Sequence, residues 1–279
     1  MAIVAWGEAF EHLLDARNGE RFDLPRWEGP RRCYVIASLP RTGSTMLCRL
    51  LEVTGRVGAP KEYLNPMQTR DWGTRIARSA FMRWFYWALR GRAVGLAGQG
   101  RWTQAELEAW LEAIRERRTG ADGWFGLKLH HHHFRQWFLD RGWEPQRFLG
   151  AERWVVITRR DKVAQAVSWA RAMQTGRWSA EQQGWVRPVY SRALVERYLA
   201  RIRDGEQGWA SWMAERGIVP HRVVFEDLVH DPEGTVRDVL RFLGVRDAGS
   251  VEVPPPPTRA QLDPESEQWR LAFLGSLEE

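Results

Sequence analysis

Apolar positions along this chain fall into two alternating rhythms. Short dense runs rich in β-branched and aromatic residues read as strands: Cys33–Ser38 (CYVIAS), Trp124–Leu129 (WFGLKL), Trp154–Thr158 (WVVIT) and Arg222–Phe225 (RVVF). Between them, apolar residues recur every three or four positions. Thr45–Val53 places Met46, Leu47, Leu50 and Leu51 on one helical face, and Gln104–Arg118 does the same with Leu107, Trp110, Leu111 and Ile114. Further helices are predicted from Lys162 to about Thr175, from Arg192 to Glu215, and from Pro232 to Leu243 with Gly244 as C-cap. The arginine-rich block from Asp71 to Arg118 reads as a helical insertion or lid over the sheet edge. Strands alternating with helices predict an α/β fold, a parallel sheet flanked by helices on both faces.

One stiff connector stands out, Val251–Pro257 with its four consecutive prolines. It lies too near the C-terminus to divide the chain, so residues 1–279 are expected to form a single domain with a tail carried back across the body. No window approaches the roughly 18 uncharged apolar residues of a membrane span. The apolar run Phe81–Leu89 is too short and is interrupted by Arg83. With no cleavable leader pattern, a soluble cytoplasmic protein is expected.

Charge changes the picture only slightly. The 41 basic and 35 acidic residues leave a net +6, compatible with a polyanionic ligand, but the basic residues are scattered rather than striped, which disfavours nucleic acid. Two cysteines, Cys33 and Cys48, make no disulfide framework and are expected as buried thiols. The 17 tryptophans are open to two readings, core packing or the lining of an acceptor pocket.

The turn after the first strand is where chemistry begins. Ser38-Leu39-Pro40-Arg41-Thr42-Gly43-Ser44-Thr45 follows a strand and opens a helix, the position in which backbone N–H groups and a helix N-terminus cradle an anion. The phosphate loop of kinases reads G-x-x-x-x-G-K-[ST]. Here Gly43 and Thr45 keep their places, but Ser44 stands where the lysine would be and Ser38 replaces the first glycine. Arg41 brings a cation into the middle of the loop. Such a loop suits a nucleotide with a single 5′ phosphate–sulfate group and needs no magnesium. A second anion site is suggested by Arg159-Arg160-Asp161, which ends a strand and opens a helix carrying Ser168 eight residues beyond Arg160. That is about two turns, or roughly 12 Å of rise, so Arg160 and Ser168 are expected to share an anion lying across the first turns.

These features resemble the sulfotransferases that use 3′-phosphoadenosine 5′-phosphosulfate (PAPS), together with the stretch Val224–Gly244 (VFEDLVHDPEGTVRDVLRFLG). The finer resemblance is to the bacterial trehalose 2-sulfotransferase type. That type shows G-x-P-x-E-[YF], here Gly58-Ala59-Pro60-Lys61-Glu62-Tyr63, and S-x-x-R-A-x-Q-T-x-x-W, here Ser168, Arg171, Ala172, Gln174, Thr175 and Trp178. The resemblance runs from about Cys33 to Trp269. It implies a P-loop-like fold in which Pro40, Arg41, Thr42, Gly43, Ser44 and Thr45 hold the 5′-phosphosulfate, Arg160 and Ser168 hold the 3′-phosphate, and Glu62 is the catalytic base. It also implies a homodimer, and a C-terminal stretch around Arg259, Gln261 and Trp269 that closes over the nucleotide.

Lys128-Leu129-His130 echoes the K-T-H of cytosolic sulfotransferases, whose histidine is the base, so the chain holds two candidate bases, Glu62 and His130. The four consecutive histidines, His130–His133, cannot all face one ion, and no metal is expected. The reaction implied is in-line transfer of a sulfuryl group from PAPS to a hydroxyl of a small acceptor: a sugar, a glycolipid or another hydroxylated metabolite. Arg41, Lys128 and the loop amides would stabilise the bridging oxygen. The rivals are a small-molecule kinase with a degenerate loop, against which the missing loop lysine argues, and a non-catalytic nucleotide-binding protein of the same fold.

Overall fold

The computed structural model describes residues 16–65, 68, 72, 73, 75, 102–178, 186–255 and 264–275. In chain order these form strand β1 (Arg32–Ser38), helix α1 (Ser44–Val53), α2 (Gln104–Arg118), β2 (Trp124–His130), α3 (His131–Trp137) and α4 (Pro145–Leu149). Then come β3 (Ala151–Thr158), α5 (Lys162–Thr175), α6 (Arg192–Glu215), β4 (His221–Val224), α7 (Phe225–His230), α8 (Pro232–Phe242) and α9 (Pro264–Gly275). The strands lie in one parallel sheet in the order β2-β1-β3-β4, the α/β architecture that the alternating pattern predicts. In β2 every residue is buried, and in β1 all but the first, as expected of strands covered on both faces. The predicted strands and the helices α1, α2, α5, α6 and α8 are present to within a few residues. Most of the helical block expected between Asp71 and Arg118 lies outside the described residues, and α2 is its described end.

The described residues group into two compact units. The first takes the chain up to Tyr34, Gly55–Leu129 and His133–Glu152. Its helix α2 begins with a reciprocal cap, in which Thr103 Oγ1 accepts the Glu106 N–H and Glu106 Oε2 accepts the Thr103 N–H at 2.7 Å. The helix buries Leu107, Trp110, Leu111 and Ile114, the stripe that its spacing predicts. At its end Arg118 is buried, donating to the carbonyls of Arg17 and Gly19 at 3.1 and 3.2 Å and pairing with Asp23 at 3.1 Å, which neutralises the guanidinium.

The second unit takes Val35–Thr54, His130–His132 and the chain from Arg153 onward. Here β3 and β4 pair in parallel, with Val155 opposite His221 and Thr158 opposite Val224. Its core joins Ala166, Val167, Trp169 and Ala170 of α5 to Val195, Tyr198, Leu199 and Ile202 of α6 and to Trp269 and Phe273 of α9. Sequence spacing extends the fourth strand to Phe225; the structure ends it at Val224 and begins α7 there. The helical turn lets Glu226 reach back to accept the backbone N–H groups of Arg160 (2.9 Å) and Asp161 (3.2 Å), which the strand end leaves without ladder partners. Cys33 and Cys48 are buried thiols that are not joined in a disulfide, and burial pushes the Cys33 thiol up to about 12.

Candidate active site

The loop between β1 and α1 is shaped by two left-handed residues. Arg41 has φ of 65° and Gly43 of 78°, on either side of Thr42, an alternation that in general turns successive N–H groups to one side. Gly43 is required twice over. Its φ disfavours a side chain, and a Cβ there would lie 2.3 Å from the Phe225 ring. Side chains from the helices tie down the strand end and the turn. Trp209 Nε1 donates to the Ser38 carbonyl at 3.1 Å, Thr42 Oγ1 to Leu39 at 2.9 Å, and the fully buried Gln165 to Pro40 at 2.9 Å. Three consecutive carbonyls are thus occupied, and the loop is held in one shape before any ligand arrives. Gln165 and Trp209 were not legible as site residues. The only sequence signal for Gln165 is its place three residues before Ser168, on the same helical face.

Arg41 lies across this loop. Its Nε donates to Ser168 Oγ on α5 at 2.9 Å, and its Nη1 donates to the carbonyl of Trp178. Burial, with the like charges of Arg159 and Arg177, pulls its pKa down to about 10, so it remains a cation at neutral pH. The spacing argument pairs Ser168 with Arg160; the structure brings Ser168 to Arg41 instead. Arg160 is exposed and forked onto Asp227, at 2.6 and 2.7 Å to the two carboxylate oxygens. The motif from Ser168 to Trp178 wraps this corner. Arg171 pairs with Glu265 at 2.7 Å, Gln174 bonds both the N–H (2.7 Å) and the carbonyl (2.9 Å) of Val189, and Thr175 Oγ1 donates to the Arg171 carbonyl at 2.8 Å. Arg259 and Gln261 lie outside the described residues. Trp269 is buried in the α5–α6–α9 core, edge-on to Tyr190.

In the same unit, His130 ends β2 and shares a 2.9 Å hydrogen bond between its Nδ1 and Ser38 Oγ. Its ring stacks on His132 at 5.7 Å between centroids, and His131 packs edge-on to Trp209. The histidine run is therefore divided between a strand end and the first turn of α3, and among the described residues no three His, Cys, Asp or Glu side chains converge as metal ligands.

The other unit holds Glu62. Gly58 has φ of 80°, and a Cβ there would lie 2.5 Å from the Arg118 carbonyl and 2.6 Å from that of Trp124, so the segment passes where only glycine fits. Beyond it Lys61 forms a parallel bridge to Leu127, with the Lys128 N–H donating to the Lys61 carbonyl at 3.0 Å. That bridge sets Glu62 beside Lys128: Lys128 Nζ lies 2.5 Å from Glu62 Oε1, and Asn65 Nδ2 donates to Oε2 at 2.7 Å. The Glu62 and Lys128 side chains are only 14% and 6% exposed, so the pair is shielded from solvent screening. Asn65 was not anticipated; its signal is only that it stands three residues after Glu62 in a turn.

The family described as Stf0 sulphotransferase matches residues 33–273 of this chain. Two curated relatives carry the name trehalose 2-sulfotransferase. The protein from Mycobacterium tuberculosis (strain Erdman) is 26% identical over 262 residues, covering 85% of this chain and 92% of that one. The protein from Mycolicibacterium smegmatis is 26% identical over 263 residues, with the same coverage. Among solved structures, the sulfotransferase domain from the Synechococcus PCC 7002 olefin synthase overlays with a TM-score of 0.41 and 17% identity, covering 90% of this chain and 97% of that one.

Proposed function

Because the chain belongs to the Stf0 sulfotransferase family and is an enzyme of that kind, we propose that residues 1–279 act as one domain that moves a sulfuryl group from PAPS to a hydroxyl of a small acceptor. The observation that carries this reading is Arg41. It is a cation held by Ser168 within a glycine turn at a helix N-terminus, in a loop that has serine where a kinase has its lysine. The residues fit an anionic nucleotide: Pro40 shapes the turn, Arg41 to Thr45 offer backbone N–H groups and the start of α1 to the 5′ group, and the Arg41 side chain offers charge. Ser168 and Arg160 are assigned to the donor's second phosphate, Arg160 turning from Asp227 to do so, and Arg259 to the nucleotide's outer side. The donor supplies an activated sulfuryl group. The acceptor oxygen forms a bond to sulfur as the bond from sulfur to the bridging oxygen breaks.

Glu62 is assigned the acceptor's proton. A carboxylate held at one oxygen by Lys128 and at the other by Asn65 has its lone pairs oriented before the reaction, and general-base removal is worth about 10²–10⁴-fold. As Glu62 takes up the proton, its hold on Lys128 weakens, and the ammonium is freed to stabilise negative charge on the departing oxygen. His130 is the runner-up; its Nδ1 is hydrogen-bonded with Ser38 Oγ. The name that the two relatives carry, trehalose 2-sulfotransferase, puts the disaccharide trehalose first among the acceptors to try. The protein is proposed to work as a homodimer in the cytoplasm, without metal. No helix among the described residues is long and apolar enough to cross a membrane.

The deciding experiment incubates the protein with PAPS and trehalose, then with PAPS and a host extract, both in EDTA, beside a parallel set with ATP and magnesium in place of PAPS and EDTA, and follows products by mass spectrometry. A product heavier by one sulfuryl group is expected. Phosphoryl transfer from ATP that requires magnesium, with no sulfated product, would overturn the proposal.

A further inference from the structure

Arg159 and Arg160 are neighbours just past the end of β3, and their side chains meet different surroundings. Arg160 goes outward, where its side chain is 60% exposed and satisfied by Asp227. Arg159 goes inward and is only 16% exposed. Its guanidinium lies 4.8 Å from the centroid of the Phe225 ring, the ring that abuts Gly43 of the phosphate loop. Its Nε is buried without a hydrogen-bond partner, and its ion pair to Glu226 is stretched to 4.0 Å. The carboxylates around it are engaged elsewhere. Glu226 accepts the N–H groups of Arg160 and Asp161, while Asp161 caps α5 at Ala164 and holds Arg270 at 2.7 Å.

Arg159 and Arg177 both act as like charges on Arg41, the guanidinium that donates to the Ser168 hydroxyl. Burial lowers the pKa of Arg159, as it does that of Arg41. Clustered, partly desolvated cations oppose folding unless an anion neutralises them. We infer that Arg159 is an oxyanion-binding residue of the donor site, its planar fork presented to a phosphate or sulfuryl group by stacking on Phe225. This inference deepens the sulfotransferase reading and rests on it for the identity of the ligand, but not for the existence of the anion site.

The test compares wild type with Arg159→Gln and with Arg159→Met, which keeps apolar contact with Phe225 if the glutamine variant folds poorly. Arg192→Gln, an exposed residue paired with Glu196, serves as control. Calorimetry measures 3′-phosphoadenosine 5′-phosphate, AMP and inorganic sulfate. Loss of a charge-assisted contact should weaken the bisphosphate about tenfold or more. Equal weakening of AMP places Arg159 at the 5′ group; weakening of the bisphosphate alone places it at the 3′-phosphate. Wild type that binds sulfate but neither nucleotide overturns the proposed donor, and the sulfate arm then judges Arg159. Folded Arg159 variants whose affinities for all three ligands stay within about threefold of wild type overturn the inference, as does a wild type that binds none of them.

Discussion

Glu62→Gln separates stability from chemistry in a single substitution. In the wild type one carboxylate oxygen faces the Lys128 ammonium at 2.5 Å and the other accepts from Asn65 at 2.7 Å. Glutamine fills the same volume but has one acceptor oxygen for two donors, so its own NH₂ must face either Lys128 or Asn65. The substitution also leaves a 6%-exposed ammonium without its counter-charge. Breaking a buried pair by removing one partner costs about 3–5 kcal/mol, and partial exposure of Glu62 places this case near 3. For a chain of this size that corresponds to a fall of roughly 6–12 °C in Tm. Turnover should fall separately, by about 10²-fold or more, because the base is gone. The assays are thermal unfolding of the ligand-free protein, single-turnover sulfation with PAPS, and calorimetry with 3′-phosphoadenosine 5′-phosphate, whose affinity should hold. The same set is run on His130→Asn, which should cost much less turnover. If Glu62→Gln turns over within a few fold of wild type while His130→Asn is inactive, the base is His130 and the role given to the Glu62–Lys128 pair is wrong.

Three further outcomes are expected. Arg41→Ala should weaken nucleotide binding about tenfold or more while Tm stays within a few degrees, since removing one of several clustered cations relieves repulsion as it loses contacts; unchanged affinity together with unfolding would make Arg41 structural. Gly43→Ala combines a strained φ with a Cβ 2.3 Å from Phe225, and should cost roughly 2–4 kcal/mol in denaturant unfolding; a stability within 0.5 kcal/mol of wild type would show that the turn is not as described. Cys33 is raised by burial to about 12 in the folded protein, so its contribution to stability is complete below pH 9 and declines as pH rises from 9 towards 12. Cys33→Ala should therefore show a flatter alkaline loss of Tm than wild type, and parallel curves would contradict the assignment.

What the sequence determined by itself is whatever depends on local spacing. Runs such as WVVIT and the stripe Leu107-Trp110-Leu111-Ile114 identify their elements because alternation and 3.6-residue periodicity record which face is buried. The loop from Ser38 to Thr45 is legible for the same reason, as are the G-x-P-x-E-[YF] stretch and the motif running from Ser168 to Trp178: each is local, with residues whose backbone roles are set by type. Tertiary structure decided the partnerships. Ser168 could be matched to Arg160 by helical rise, yet it bonds Arg41, 127 positions away, because helix α5 packs beside the loop. Lys128 is two residues from His130 in sequence, but a bridge from Lys61 to Leu127 makes Glu62 its partner, and Ser38 takes His130. The adjacent arginines 159 and 160 are identical in type, so nothing in the sequence says which faces in. Only the packing of Phe225 and the position of Asp227 separate them, because both lie past the end of β3, where no regular alternation assigns a side and the fold around them decides which one is buried.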